Sequence, residues 1–430
     1  MGKVITKIII IIFVLSTHQV FSQFDNPEGN DKFNLLTRGH SLIGSNFNSY
    51  YSSNSVHYKF LSSLMGNKYI DDELKTSVKL KDDNRFGSIQ DLNLYYISYP
   101  DSFLGTNQYG FKVSMGYHSN MNMKFGADAF NLAFRGNSYF AGKKADLSDL
   151  NINYLVYQDL QFGLFTRPSD DNPLTYYLGF SLIKGQTYYS IATEEAWLFT
   201  EETGEYLDLR LQGLFMASDS IKPDLLEFAG TGFATHLFFN YDNIVRNFSV
   251  SLAVDNFGYI NWNQNSFLVE EDTSLHWEGI IIDDILNIED GQINGFSDDT
   301  LQKLLKQEEH SVNFRKQMPE RVQLSFFKRT SKMNSIKAGL IYLHDVNLKM
   351  PLFYIRDFYD ILRAEKIGLQ LNLDAGYGGY SGFQTSMGMT FATGSKEKNL
   401  LINASTNFLS FLIPKHTFSQ NIFVCLSYRF

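Results

Sequence analysis

The chain has 430 residues, a formal net charge of −9, 19% charged and 15% aromatic residues, and one cysteine. An acidic chain without Lys/Arg clusters is a poor nucleic-acid binder, and a single cysteine excludes an internal disulfide framework. Past residue 22 apolar runs such as 279–282 and 411–414 are far shorter than the roughly 20 residues of a membrane helix.

The amino terminus, "MGKVITKIIIIIFVLSTHQVFSQ", carries Lys3 and Lys7, an apolar core from Ile8 to Leu15 and then a polar stretch. Val20 and Ser22 occupy small-residue positions before an expected cut between Ser22 and Gln23. This pattern predicts a secretory signal peptide over 1–22, with a core too short to span a bilayer. No cysteine follows that core, so a lipoprotein anchor is not expected. Losing Lys3 and Lys7 takes the formal charge to −11. An exported chain with one cysteine must be held together by something other than disulfides.

From Gln23 to about residue 85 the sequence alternates weakly and is rich in Ser and Asn. It is expected to supply a strand or two, and a segment in or across the mouth of the sheet structure formed by later residues. Strong period-two alternation then dominates. In "YGFKVSMGYHS", Tyr109, Phe111, Val113, Met115 and Tyr117 share one face, and Lys112, Ser114 and His118 the other. "YLDLRLQGLFM" sets Leu207, Leu209, Leu211 and Phe215 against Asp208, Arg210 and Gln212. "ERVQLSFFKR" and "KIGLQLNLDAGYG" repeat the pattern through Val322, Leu324 and Phe326, and through Ile367, Leu369, Leu371 and Leu373. Segments of about ten residues with an apolar and a polar face suit strands that cross a bilayer. Soluble sandwiches use strands nearer five or six residues. Tyr95, Tyr96 and Tyr99, and Tyr176 with Tyr177, suit interfacial aromatic girdles.

"RPSDDNP" (167–173) and "ATGSKEKN" (392–399) read as short polar turns. The stretch 263–320 is a long insertion. Within it Ser297 can cap a helix with Asp298 and Asp299 in its first turn and Leu301, Leu304 and Leu305 on one face. The last ten residues, "NIFVCLSYRF", alternate Ile422, Val424, Leu426, Tyr428 and Phe430 with Asn421, Phe423, Cys425, Ser427 and Arg429. They predict a closing strand that pairs with the first, because only a closed sheet leaves no unpaired edge in lipid. Phe423 and Cys425 are expected to pack on lumen side chains. The fold class predicted is all-β: a transmembrane antiparallel β-barrel comprising the single domain 23–430, with an N-terminal lumen or mouth segment and a small helical loop insertion.

No credible catalytic set emerges. His118, Ser119 and Asn120 include the residue types of a hydrolase triad, but neighbouring strand residues point to opposite faces; His40 and Ser41 fail for the same reason. The acidic pairs Asp170–Asp171, Asp283–Asp284 and Asp298–Asp299 have turn or cap explanations, and the nine histidines lack metal-ligand spacing. "GYGGYSG" (376–382) lacks the Lys-Ser/Thr of a phosphate loop, and its glycines suit a turn or a close approach. No cofactor, metal or enzyme activity is predicted.

Three stretches resemble a family of Bacteroidetes-type outer-membrane barrels: "GNSYFAGKKADLSDLNINYLVYQDLQFGLFTR" (136–167), "VDNFGYINWNQNS" (254–266) and "MPERVQLSFFKR" (318–329). The most specific element is a Gly-aromatic-Ile-x-Trp turn at a strand end, here Gly258, Tyr259, Ile260, Asn261 and Trp262. The resemblance covers about residues 85–430. More distantly the chain looks like the long-chain fatty-acid transporter superfamily and the shuttle barrel of type IX secretion. Those relatives imply about fourteen strands, within twelve to sixteen, inside the even-numbered range of bacterial barrels of roughly 8 to 26. They also imply an N-terminal segment inside the barrel. In such barrels generally a terminal aromatic strand serves as the assembly machinery's signal, which Val424, Leu426, Tyr428 and Phe430 resemble.

Two functions follow as expectations. One is a conduit for a small hydrophobic molecule, suggested by aromatic content and the transporter resemblance. The other is a non-transporting scaffold or partner-binding barrel in a secretion, assembly or cell-surface complex, suggested by the long insertion and acidic charge. Expected partners are outer-membrane lipids and lipopolysaccharide, the barrel assembly machinery, and a protein partner in an outer-membrane complex.

Overall fold

A computed structural model describes residues 40–166, 173–218, 229–243, 246–263, 266–278, 310–345, 348–364, 366–395 and 398–430. The expected signal segment with Ser22 and Gln23, all but His310 of the helix over 297–310, and most of the 167–173 turn lie outside the described residues. The alternating segments form strands β1 (His40–Ser53), β2 (Asn84–Tyr99), β3 (Tyr109–Phe125), β4 (Lys143–Asp146), β5 (Asn151–Thr166), β6 (Leu174–Thr200) and β7 (Tyr206–Ala217). Next come β8 (Gly230–Asn243), β9 (Phe248–Trp262), β10 (Phe267–Glu278), β11 (His310–Ser311), β12 (Phe314–Gln317) and β13 (Glu320–Arg329). The chain closes with β14 (Asn334–Asp345), β15 (Leu348–Arg363), β16 (Ile367–Gly378), β17 (Gly382–Gly394), β18 (Asn399–Thr406) and β19 (Ser419–Arg429).

Fourteen of these close an antiparallel barrel, in the order β1-β2-β3-β5-β6-β8-β9-β13-β14-β15-β16-β17-β18-β19. The seam is the predicted one: β19 pairs with β1 from Leu42↔Arg429 to Ser52↔Ser419. Polarity is inverted relative to a soluble protein. Leu182 is 64% exposed and Phe353 58%, whereas Gln370 and Thr390 are 1% exposed. Such a wall is stable only with lipid outside and polar groups satisfying one another inside. The last strand obeys this rule, with Ile422, Val424, Leu426, Tyr428 and Phe430 outward and Ser427 and Arg429 buried. On its inner side the Tyr95 hydroxyl lies 2.6 Å from Ser427 Oγ and 3.4 Å from Cys425 Sγ.

The two ends differ. Lower connections are short: 100–108, 167–173, 244–247, 330–333, 364–366 and 395–398. Upper connections include 54–83, 126–150, 186–229, 263–319 and 407–418. The N-terminal region contributes β1 and then helices α1 (Tyr58–Met65) and α2 (Asp72–Ser77) at the upper mouth. His57 Nδ1 caps α1 by accepting from Phe60 N at 3.2 Å, and Asp71 caps α2 by accepting from Leu74 N at 2.8 Å. Phe60 and Leu61 of α1 pack with Leu74, Tyr51, Phe86 and Met121, joined by Phe130 and Phe134 of α3 (Ala127–Arg135). A last short helix, α4 (Leu409–Leu412), precedes β19.

Two expectations change. The segment 206–216 is a strand, but β7 stands outside the barrel wall. At its inner half β6 pairs with β8 from Leu174↔Tyr241 to Gly185↔Gly230; beyond that point it pairs with β7 from Tyr189↔Ala217 to Thr200↔Leu207. β10 adds to β7, and β4 to the far end of β6. A strand of 27 residues spans about 90 Å at ~3.3 Å per residue, far more than a membrane requires. Period two marks both halves alike, so alternation alone does not separate them. The second change concerns Gly258, Tyr259, Ile260 and Trp262, which are extended strand within β9 rather than a turn. Trp262 and Ile260, each 1% exposed, sit over the Gly185–Gly230 pair where β8 leaves β6. A Cβ on Gly185 would come 2.9 Å from the indole. The motif is a wedge at that branch point.

Candidate functional site in the barrel lumen

Inward-facing positions at mid-barrel carry charge where the outward ones carry Leu and Phe. Asp91 (β2), His118 (β3), Asp159 (β5), Ser181 (β6), His236 (β8) and Asp255 (β9) form one continuous belt around this half of the wall. His118 Nδ1 is 2.6 Å from Asp91 Oδ1 and its Nε2 3.1 Å from Asp159 Oδ1. Ser181 Oγ donates to Asp159 Oδ2 at 2.6 Å and lies 2.9 Å from His236 Nε2. His236 Nδ1 reaches Asp255 Oδ1 at 3.4 Å. Asn48 Nδ2 donates to the other Asp91 oxygen at 3.1 Å. With a carboxylate at each ring nitrogen, a doubly protonated His118 satisfies both partners. The Tyr157 ring stacks on it with centroids 4.6 Å apart.

Local backbone irregularity serves this arrangement. The β8–β9 register slips between Thr235 and Leu237, beside Asn256 at φ 60°. A bulge of this kind re-aims side chains, and here the slipped residues are His236 and Asp255. Lys112 Nζ and Ser114 Oγ both donate to Gln161 Oε1, at 2.9 and 2.8 Å. Across the barrel Arg356 grips Asp374 at 2.7 and 3.0 Å.

The belt borders a cavity of about 130 Å³ lined by Asn46, Asp91, His118, Asp255, Glu320 and Arg321, among other residues. That is room for on the order of ten waters. An aromatic strap bounds it above. Tyr380, 4% exposed, comes from the β16–β17 turn and packs with Met350, Tyr50 and Ile89. Its ring lies against Gly87 of β2, where a Cβ would approach within 2.1 Å. Gly378, Gly379 and Gly382 flank it at φ of +117°, +61° and +82°, so the "GYGGYSG" glycines make the inward turn that L side chains would strain. The Tyr50 hydroxyl donates to Gln384 Oε1 at 3.0 Å.

Of the residues singled out in sequence, His118 and Asn120 line the cavity, while Ser119 lies on the other face of β3. The hydrolase-type trio does not converge. Phe423 lines the cavity as expected. Gly258, Tyr259, Ile260 and Trp262 lie higher, at the branch point, and Val424, Leu426, Tyr428 and Phe430 face outward. The aspartates of the belt escaped the sequence reading. Their signal was a charge next to an apolar residue inside an alternating run, as in "YQDLQ" around Asp159. Among the described residues no group of three or more His, Cys, Asp or Glu could hold a metal ion.

Residues 37–404 match the family of unknown function DUF5723. The chain belongs to that family. No curated protein matches the sequence. Among solved structures, this DUF5723 barrel is similar to the toluene transporter TodX of Pseudomonas putida, at 8% identity over 96% of this chain and 94% of that one, with a TM-score of 0.43. A Pseudomonas aeruginosa FadL homologue matches at 8% identity over 91% and 90%, with a TM-score of 0.41. The translocator domain of the autotransporter NalP from Neisseria meningitidis matches at 8% identity over 92% and 90%, with a TM-score of 0.34.

Proposed function

We propose that this DUF5723 barrel is a narrow outer-membrane conduit for small polar solutes, closed at its upper mouth by the Tyr380 strap. The long connections would face outward and the short ones the periplasm. The observation that carries this reading is the cavity lining of amides, carboxylates and imidazoles beneath an aromatic cover. A hydrophobic cargo would need an apolar pocket of roughly 300–1,000 Å³. The lumen cavity is about 130 Å³, and the aromatic residues that suggested such a cargo are largely spent on the lipid face, as with Phe47, Phe162, Phe180 and Phe353. The polar lining therefore supports a polar solute as the cargo in this reading.

Planar-bilayer recording of the purified full-length protein tests this. Small unitary steps are expected from the native chain and larger ones from Tyr380→Ala. Silence from both would overturn the conduit, and unequal swelling of liposomes toward apolar solutes would restore the hydrophobic cargo. The sheet built by β4, the outer half of β6, β7 and β10 favours a second reading, attachment of a protein partner. Its strands are tied by Arg210, which bonds Glu195 and Asp272. Recovery of only the lone barrel from native membranes would count against it. Export by cleavage between Ser22 and Gln23 belongs to the same proposal, and amino-terminal sequencing of the mature protein checks it.

A further inference from the structure

The loop between β18 and β19 carries an apolar helix whose side chains lie bare at the barrel rim. Phe411, Leu412 and Ile413 are 60%, 70% and 45% exposed, while Ser410 is fully buried. Ser410 Oγ contacts the Gln420 side chain and donates to the Asn407 carbonyl at 2.7 Å. That pins α4 level with Gln420, two residues along β19 from Ile422, an outward member of the apolar belt, which is roughly 7 Å away. The exposed triad thus continues the lipid face of the wall beyond its last ladder pair, Thr406↔Ile422.

Basic groups flank the triad. Lys79, Lys415 and His416 are exposed, and all three act electrostatically on the same buried neighbour, His57. Lys79 Nζ sits 6.0 Å from the Phe418 ring centroid. Lys415 Nζ is 2.8 Å from Glu73 Oε1, with Asp71 also nearby, so part of its charge is already met. Lys59 joins the knob through its backbone, which donates to the Pro414 carbonyl at 3.1 Å. Apolar prongs that continue the outward apolar face, beside Lys79 and Lys415, match an anionic amphiphile rather than a neutral one.

We propose that this knob binds a phosphorylated lipid of the leaflet at the long-loop end, acyl chains against Phe411, Leu412 and Ile413 and phosphate against Lys79, Lys415 and His416. The lumen reading is not needed for it. The test uses the full-length protein in detergent with diphosphorylated lipid A, its dephosphorylated form or phosphatidylcholine as probes, and native mass spectrometry to count retained lipid. The native chain should retain the phosphorylated lipid preferentially, and sodium chloride should weaken that preference. Lys79→Gln leaves the Glu73 contact intact and should weaken retention about fivefold for the one cation removed. Phe411→Ser with Leu412→Ser should lower retention of all three lipids. Heat-modifiable electrophoretic mobility verifies that each variant is folded. Equal retention of phosphorylated and dephosphorylated lipid would overturn the proposal. So would variants that bind like the native chain, or a protein found on the knob in native membranes in place of lipid.

Discussion

His57 shows how a single side chain can serve both structure and pH response. It caps α1 through Nδ1, while Nε2 lies 2.8 Å from Ser77 Oγ. Burial, reinforced by the charges of Lys415, His416 and Lys79, lowers its pKa from 6.5 to about 4. The folded state therefore favours the neutral ring. Its contribution is complete above pH 6.5, declines as the pH falls toward 4, and is lost below that. Urea unfolding of the native chain and of His57→Gln should show a stability gap that narrows between pH 6.5 and 4. A gap independent of pH in that window would refute the assignment. Sequence carried no trace of this role, because the charges that set it, Lys79, Lys415 and His416, are distant along the chain. His118 is similar: its inward parity was legible from "YGFKVSMGYHS", but its two aspartate partners sit on β2 and β5.

At the scale of elements, β6 decides the architecture. One strand serves two sheets, and the switch occurs at the Gly185↔Gly230 pair. Trp262 fills that branch, with its ring 5.6 Å from Tyr188 and 6.2 Å from Phe314. Trp262→Ala should cost about 3–5 kcal/mol as a large-to-small core change. The loss should fall on the outer sheet, since the wall below keeps its ladder. Limited proteolysis should therefore cut within 186–229 in the variant while the barrel retains its heat-modifiable mobility. Joint collapse of sheet and barrel, or native-like resistance, would contradict a wedge role. The Gly-aromatic-Ile-x-Trp motif was recognisable in sequence, yet its conformation was not. A turn and the extended end of a strand share the same local composition.

For the whole molecule, closure is the controlling fact. In lipid an open sheet edge leaves backbone groups unpaired at several kcal/mol each, so the β19–β1 seam is obligatory. Deleting Phe430 should reduce the amount of folded protein in the outer membrane, if the terminal strand also serves as the assembly signal. Unchanged folded levels, measured by heat-modifiable mobility of membrane fractions, would remove that role. Phe430 also bonds through its backbone, donating to the Ser41 carbonyl at 3.0 Å, so a variant Phe430→Ala separates the side chain from the seam.

The division between sequence and tertiary structure follows from the range of the forces involved. Alternation along a strand is a local property, so the apolar outer face, the polar inner face, the all-β class and the closing carboxyl-terminal strand were readable residue by residue. What a strand pairs with is not local. Only the folded chain decided that β7 leaves the wall, that Gly258–Trp262 spans a branch, and that Tyr380 crosses to Gly87. Only the fold likewise places Asp91, Asp159 and Asp255 along one belt through two imidazoles. Each of these depends on register between segments tens to hundreds of residues apart, and a one-residue slip would turn every inward charge toward lipid.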